Sequence, residues 1–305
     1  MSASAEALLE GIRRDNHSGA IHLTHQAGDA LLVWLGQRQP QHPLEEVHHD
    51  LERFALELVQ AKPTMASIFN LVNQTLLATA EAASWSDLDE RLEATVRQFL
   101  RALEQSTARI AIQAAKLIVP GATLMTNSYS ATAFAAFRHA LSTGKRFTVI
   151  CPESRPIGEG RSLAQELAQL GLRVKVVADA AAPRLVRHCD LVLVGGDALA
   201  PEGLGNKIGS YALALAARAN HRPFVALVGE QKYLPRFSET WIPREPSKEL
   251  LAEGDIENLS VENRYFELVP LDLLSEVVGE MGSIPLERLL ERLQAIQLHP
   301  ILAAL

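Results

Sequence analysis

The stretch best equipped for chemistry is Cys189 to Gly209, CDLVLVGGDALAPEGLGNKIG. Its apolar run Leu191 to Val194 reads as a strand buried on both faces, as parallel strands are. Gly195-Gly196 then frees the backbone to turn and to approach a ligand closely. Asp197 lands where the strand ends, and open α/β sheets bind ligands in the crevice outside the carboxyl ends of their strands. A carboxylate there can take or give a proton. Asn206 and Lys207 follow, and Gly209 opens the apolar run Tyr211 to Ala217, which reads as a helix. An amide, an ammonium and bare backbone N–H groups at a helix start suit a phosphate.

Other strand ends carry polar clusters. Thr126-Asn127-Ser128-Tyr129-Ser130 follows the first strand and reads equally as a helix N-cap or as an anion cradle of hydroxyls and N–H groups. After the second strand, Arg155 and Arg161 stand among Gly158 and Gly160. They suit bidentate phosphate recognition, or form a solvated charged loop. Asp179 reads as a helix N-cap. Lys232, after the fifth strand, fits the same crevice or is simply exposed. Cys151 and Cys189 read as small buried hydrophobes. His48-His49 reads as a solvated helix face, and the ten histidines do not cluster with carboxylates at metal spacing. No GxSxG, Walker lysine loop, HExxH or GxGxxG pattern is present. The expectation is therefore no metal and no cofactor.

The elements that must position these residues fall into two parts. Residues 1–119 read as a helical N-terminal domain. Helical patterns cover Ala20 to Leu35, Leu44 to Gln60, a segment capped by Thr64 and running to about Ala82, and Trp85 to Leu117 with Ser86 as its cap. Pro40 and Pro43 mark a break between the first two. Residues 120–305 read as an α/β domain. Candidate strands are Thr123 to Met125, Phe147 to Cys151, Arg173 to Ala178, Leu191 to Val194, Phe224 to Val228 and Tyr265 to Val269. Helical patterns at Ala131 to Thr143, Ser162 to Leu170, Ala182 to His188 and Ser210 to Asn220 alternate with them. Such alternation predicts βαβ units and a parallel, doubly wound sheet. Ser238 to Glu262 reads as a surface excursion, and Leu271 to Leu305 as C-terminal helices. In that tail Leu271, Leu274, Val277 and Val278 form a packing stripe.

Composition narrows the function classes. The 305 residues are 48% hydrophobic, enough for a sizeable core. A net charge of −7 argues against direct nucleic-acid binding. Two cysteines make no disulfide framework or CxxC metal spacing, so a reducing cytoplasm is expected. Met1 to Asn16 lacks the apolar core of a signal peptide, and no apolar run is long enough to span a bilayer.

Read in order, ESRP (Glu153 to Pro156), EGR-LA (Glu159 to Ala164), DAA (Asp179 to Ala181), VLVGGDAL (Val192 to Leu199), G-NKIGS (Gly203, Asn206 to Ser210), Pro223-Phe224 and QKY (Gln231 to Tyr233) resemble one superfamily. It holds the regulatory alpha, beta and delta subunits of eukaryotic initiation factor 2B, ribose-1,5-bisphosphate isomerase and methylthioribose-1-phosphate isomerase. The resemblance implies a helical domain on a Rossmann-like domain, a homodimer or higher homo-oligomer, and an interdomain pocket for a phosphorylated ribose or nucleotide. It also implies a translation factor as a possible partner.

In the isomerases of that superfamily a cysteine just after the first strand and an aspartate in a Gly-Ala-Asp motif move protons between an aldose phosphate and its ketose. Asp197 matches the aspartate, and Ser128 stands at the cysteine position. A serine hydroxyl titrates far above a thiol and is a poor proton shuttle. The regulatory subunits also lack the cysteine and carry a pair like Tyr129-Ser130. The superfamily's Arg-Gly-Ala appears as Ser18-Gly19-Ala20, without its arginine. Its Arg-Pro-Thr appears as Lys62-Pro63-Thr64. The resemblance carries Gly19, Lys62, Asn127, Tyr129, Ser130, Arg155, Arg161, Asn206, Lys207 and Lys232 over as ligand contacts. The expected function is a regulatory protein binding a sugar phosphate or nucleoside monophosphate. The alternative is an aldose–ketose isomerase acting on ribose 1,5-bisphosphate or a related sugar 1-phosphate.

Overall fold

Helix-forming Ala, Leu and Glu dominate the first third of the chain, and the structure, a computed structural model, is helical there. It describes residues 4–38, 43–251 and 257–305. Five helices come first: α1 (Ala5–Arg14), α2 (Ala20–Gly36), α3 (Leu44–Ala61), α4 (Ala66–Thr79) and α5 (Trp85–Leu117). Pro43 stands at the N-cap of α3, while Pro40 lies outside the described residues. The helices bury Leu23, Leu31, Trp34, Leu51, Leu58, Ile68, Leu71, Leu88 and Leu92 against one another.

Two predicted caps are corrected. Ser84, not Ser86, caps α5, its hydroxyl accepting from Asp87 N–H at 3.2 Å. Thr64 does not cap α4, which begins after Met65 with no side-chain cap and ends at Thr79. The first N–H of α4, at Ala66, donates instead to Asp197 C=O at 3.1 Å. A long-range backbone partner does what a hydroxyl was expected to do.

The rest alternates strands and helices: β1 (Thr123–Met125), α6 (Ala131–Ser142), β2 (Thr148–Pro152), α7 (Glu159–Gln169), β3 (Arg173–Val177), α8 (Ala182–Leu185), β4 (Leu191–Gly195), β5 (Ala198–Ala200), β6 (Gly203–Lys207), α9 (Ser210–Ala219), β7 (Phe224–Leu227), β8 (Phe266–Val269), β9 (Glu276–Gly279), β10 (Gly282–Ile284), α10 (Leu286–Gln294) and α11 (Pro300–Ala303). Seven strands form one sheet in the order β10-β9-β7-β4-β1-β2-β3, parallel except for the β9–β10 pair. Paired rungs include Leu124↔Val149 and Leu193↔Val225. The order runs outward in both directions from β1 and β4, so their boundary is the topological switch point. Both sheet faces are covered, as apolar runs require. Leu124, Val149, Leu193 and Val225 face a core with α5, α6 and α7, whereas Met125, Ile150, Val192, Val194 and Ala226 face α8, α9 and α10.

Three expectations for this half differ from the structure. The Tyr265 to Val269 strand is not in the main sheet. As β8 it pairs antiparallel with β6, Leu204 opposite Val269, in a separate sheet of order β5-β6-β8. The stretch from Asp197 to Lys207, where no strand is expected, contains the β5–β6 hairpin. Ala198 and Ala200 bury in the helical core beside Phe237, Ile242 and Leu302. The tail is not helical throughout. Val277 and Val278 lie on β9 and face opposite cores, a period of two mistaken for a helical stripe. The Ser238 to Glu262 excursion carries short 3₁₀ turns at Glu239–Trp241 and Ser247–Glu249, and its residues 252–256 lie outside the described residues. Among the described residues no helix is long and apolar enough to cross a membrane.

The cap assignment is testable. Ser84→Ala is expected to cost about 1 kcal/mol in urea unfolding. Ser86→Ala is expected to leave the midpoint essentially unchanged.

Candidate functional site

A cavity of about 670 Å³ opens at the switch point, between the carboxyl ends of β1, β4 and β7 and the start of the helical region. Ten of the twelve residues singled out in the sequence line it: Gly19, Lys62, Asn127, Ser128, Tyr129, Ser130, Asp197, Asn206, Lys207 and Lys232. Arg155 and Arg161 do not.

Two helices start at this cavity. α2 begins behind Gly19 with no side-chain cap, and Gly19, Ala20 and Ile21 line the wall. Its first N–H groups have no acceptor within the helix. α6 begins behind Ser130, whose hydroxyl accepts from Ala133 N–H at 3.2 Å, and Ala131 and Thr132 line the cavity. Each start presents the positive end of a helix dipole, which favours an anion. The tip of β4 presses close against α6. A Cβ on Gly195 would lie 2.2 Å from Ser130 Oγ. Glycine is needed there for a close approach to protein rather than to a ligand.

Ser128 adopts a left-handed backbone, φ 59°, at the tip of β1. Its N–H donates to Ser154 Oγ at 2.9 Å. Ser154, also left-handed at φ 60°, is held in turn by Asp179. The two carboxylate oxygens of Asp179 accept from Ser154 N–H at 2.7 Å and Arg155 N–H at 2.8 Å. Asp179 is therefore not the N-cap expected of it, since its own short helix has no side-chain cap. By holding the backbone of Arg155 it leaves that side chain exposed and off the cavity wall. Arg161 is exposed on α7 and pairs with Glu153, Nε to Oε2 at 3.1 Å. The phosphate fork expected of the two arginines is absent from the cavity.

Several lining residues work on the protein itself. The Asn127 amide donates to Lys207 C=O at 3.1 Å, Ile208 C=O at 3.1 Å and Ser210 Oγ at 3.0 Å, pinning the turn from β6 into α9. Asn206 donates to Ser210 Oγ at 3.0 Å. Gly209, at φ +99°, makes that turn possible. The Tyr129 hydroxyl donates to Glu166 Oε2 at 2.9 Å, and burial with that carboxylate pushes it up to about 12.

The ionisable groups face one another at close range. Lys207 is buried, reaches Glu159 Oε1 at 2.5 Å and sits 4.8 Å from the centre of the Tyr265 ring. Lys62 donates to Asn16 Oδ1 at 2.9 Å and Arg13 C=O at 3.3 Å. Burial pulls its ammonium below the usual lysine range, against the pull of Glu245 and Asp15. Lys232 donates to Gly196 C=O at 2.6 Å, and burial lowers it while Asp197 opposes the shift. Burial raises the Asp197 carboxyl above the ordinary range, although Lys232 and Lys207 oppose that shift. The Asp197 backbone is fixed from both sides, its N–H to Gly205 C=O at 2.9 Å and its C=O from Ala66 N–H.

Sequence reasoning missed Glu159, Glu245, Asp15 and Tyr265, all of which line the cavity. Asp15 had a local signal. Asp15-Asn16-His17-Ser18 is turn chemistry before a helix, and its carboxylate accepts from His17 and Ser18 N–H at 3.0 and 2.8 Å. Glu245 comes from the polar excursion and Tyr265 from the residue just before β8, and nothing local marks either as part of a site. Among the described residues no cluster of His, Cys, Asp and Glu is placed to hold a metal.

The family model described as "Initiation factor 2 subunit family" matches residues 16–286. The ribose 1,5-bisphosphate isomerase of Archaeoglobus fulgidus is 29% identical, covering 91% of this chain and 88% of that protein. A putative methylthioribose-1-phosphate isomerase of Methanothermobacter thermautotrophicus is 32% identical, covering 76% of this chain and 77% of that one. Among solved structures, the translation initiation factor eIF-2B of Pyrococcus horikoshii superposes with a TM-score of 0.77 at 26% identity, covering 93% of this chain and 98% of that one.

Removing the Asp179 carboxylate frees two backbone N–H groups and the loop that supports Ser128. Asp179→Ala is expected to cost about 2 kcal/mol by urea denaturation. Asp179→Asn, which retains one acceptor oxygen, is expected to cost less.

Proposed function

The chain belongs to the Initiation factor 2 subunit family, and on that premise we propose that its cavity binds a phosphorylated ribose or a nucleoside monophosphate. The observation that carries this reading is the convergence of two helix starts and three lysines on one cavity at the switch point of the sheet. Backbone N–H groups of α2 and α6 take a phosphate, with Lys62, Lys207 and Lys232 supplying positive charge. Asn127 and Asn206 hold the floor in shape. The role is binding. Ser128 replaces the proton-shuttling cysteine, and the two thiols, Cys151 and Cys189, are buried and off the cavity wall. Burial pushes them up to about 12 and about 11, so neither supplies a thiolate. A homodimer or larger homo-oligomer, a cytoplasmic location and a translation factor as partner belong to the same reading.

The likeness to named isomerases and the position of Asp197 favour a second reading. Asp197 lines the cavity with its carboxyl held above the ordinary range. A carboxyl whose charged form burial disfavours is suited to hand a proton to a bound sugar, a step that aldose–ketose isomerisation of a sugar 1-phosphate needs.

Thermal denaturation with ribose 5-phosphate, ribose 1,5-bisphosphate and adenosine monophosphate tests the binding reading. A specific ligand at a hundred times its Kd is expected to add about 2.7 kcal/mol. Lys207→Ala is expected to weaken that ligand roughly tenfold or more, as loss of a charged hydrogen bond does. Absence of stabilisation by all three would overturn the reading.

A further inference from the structure

The three lysines at the cavity differ in what holds them. Lys62 is tied to Asn16 and to a backbone carbonyl of α1. Lys207 is bound to Glu159 and covered by Tyr265. Among the described residues Lys232 has one hydrogen-bond acceptor, the Gly196 carbonyl, and that carbonyl belongs to the residue just before Asp197. Asp197 and Lys232 both line the cavity, and the Asp197 charge opposes the lowering of the Lys232 ammonium. No thiol lines the cavity among the described residues, and the Ser128 hydroxyl titrates too high to take a proton from carbon unaided.

We propose that Lys232 is the base that replaces the missing thiol, working with Asp197 as the acid in the isomerisation of a sugar 1-phosphate. The proposal rests on the isomerase reading above and assigns the residue that reading lacks. Asp197 gives its proton to the ring oxygen as the bond from that oxygen to C1 breaks. The Lys232 amine takes the C2 hydrogen as a proton, and the electron pair left behind closes the C1=C2 bond. The Asp197 carboxylate then removes the 2-hydroxyl proton as the C2 carbonyl forms. The Lys232 ammonium returns its proton to C1. Both groups end as they began, the phosphate stays on C1, and no outside oxidant or reductant is needed.

Burial supports this division of labour. It lowers the ammonium and raises the carboxyl, so it favours the neutral amine and the neutral acid that the two steps use. The other charged groups acting on Asp197 are Lys207, which opposes the shift, and Glu159, which adds to it. The rate is expected to fall at low pH, where the amine is protonated, and at high pH, where the acid is ionised.

The test is turnover of ribose 1,5-bisphosphate by the full chain, with binding of the same compound measured in parallel. Lys232→Ala is expected to lower kcat by about 10²–10⁴-fold, the usual worth of a proton-transfer group. Added methylamine is expected to restore part of that loss, which a merely structural lysine would not allow. Lys232→Arg keeps the charge and removes the base, so it is expected to lose kcat as well. It also serves if the alanine variant does not fold. Full activity in Lys232→Ala or Lys232→Arg would overturn the role of Lys232 and leave the isomerase reading standing. Loss of activity with no rescue by methylamine would equally overturn it. Binding by the unaltered chain without turnover would overturn the isomerase reading and this proposal together, while the binding function would survive.

Discussion

The backbone of Asp197 is the point on which sheet, hairpin and helical region agree. Its N–H bonds the Gly205 carbonyl across the hairpin, and its carbonyl takes the first N–H of α4. Just before it, Gly195 lies so close to Ser130 that no side chain fits between them. These contacts fix β4 against β6, α4 and α6 at once. The cavity is what remains between elements locked in this way, so its shape is set by backbone contacts more than by the flexible ends of its lysines.

That geometry has an electrostatic cost. Lys62, Lys207 and Lys232 share a partly desolvated space with Glu159, Asp197 and Glu245, and full burial of any one charge alone is expensive. The Lys207–Glu159 ion pair and the attraction between Lys232 and Asp197 offset part of it. What is not offset shows as shifted protonation, with Asp197 and Glu245 raised and Lys62 and Lys232 lowered. A phosphate bound as proposed would bring negative charge to ammonium groups already partly stripped of water. Part of their hydration would have been removed in advance, at the time of folding.

Much of this was legible in the sequence because the signals are local. The apolar runs of β1, β2, β4 and β7 and the helical spacing of α5 each declare themselves within a dozen residues. So does the grouping of Asn206, Lys207 and Gly209. Features that depend on partners distant in the chain were not legible. The hairpin hides in Ala198 to Lys207 because its strands are short and rich in alanine and glycine, and its burial comes from Phe237 and Leu302. Val277-Val278 passed for a helix stripe because two residues cannot reveal a period. Arg155 matched a pattern for phosphate binding, yet Asp179, bonded to its backbone, leaves it facing water. Glu245 reaches the cavity from an excursion whose path no local rule describes, and Tyr265 from the entry to β8, which pairs away from the main sheet.

The helix α5 has a consequence for how the molecule comes apart. Its first half, Leu88 to Phe99, belongs to the core of the helical region, and its second half, Ile110 to Ala115, to the core under the sheet. Its 33 residues make one rod about 50 Å long. Melting either half exposes a hydrophobic stripe continuous with the other. The rod therefore ties the loss of one core to the loss of the other, so heat should take the chain apart in one cooperative step instead of shedding a piece at a time.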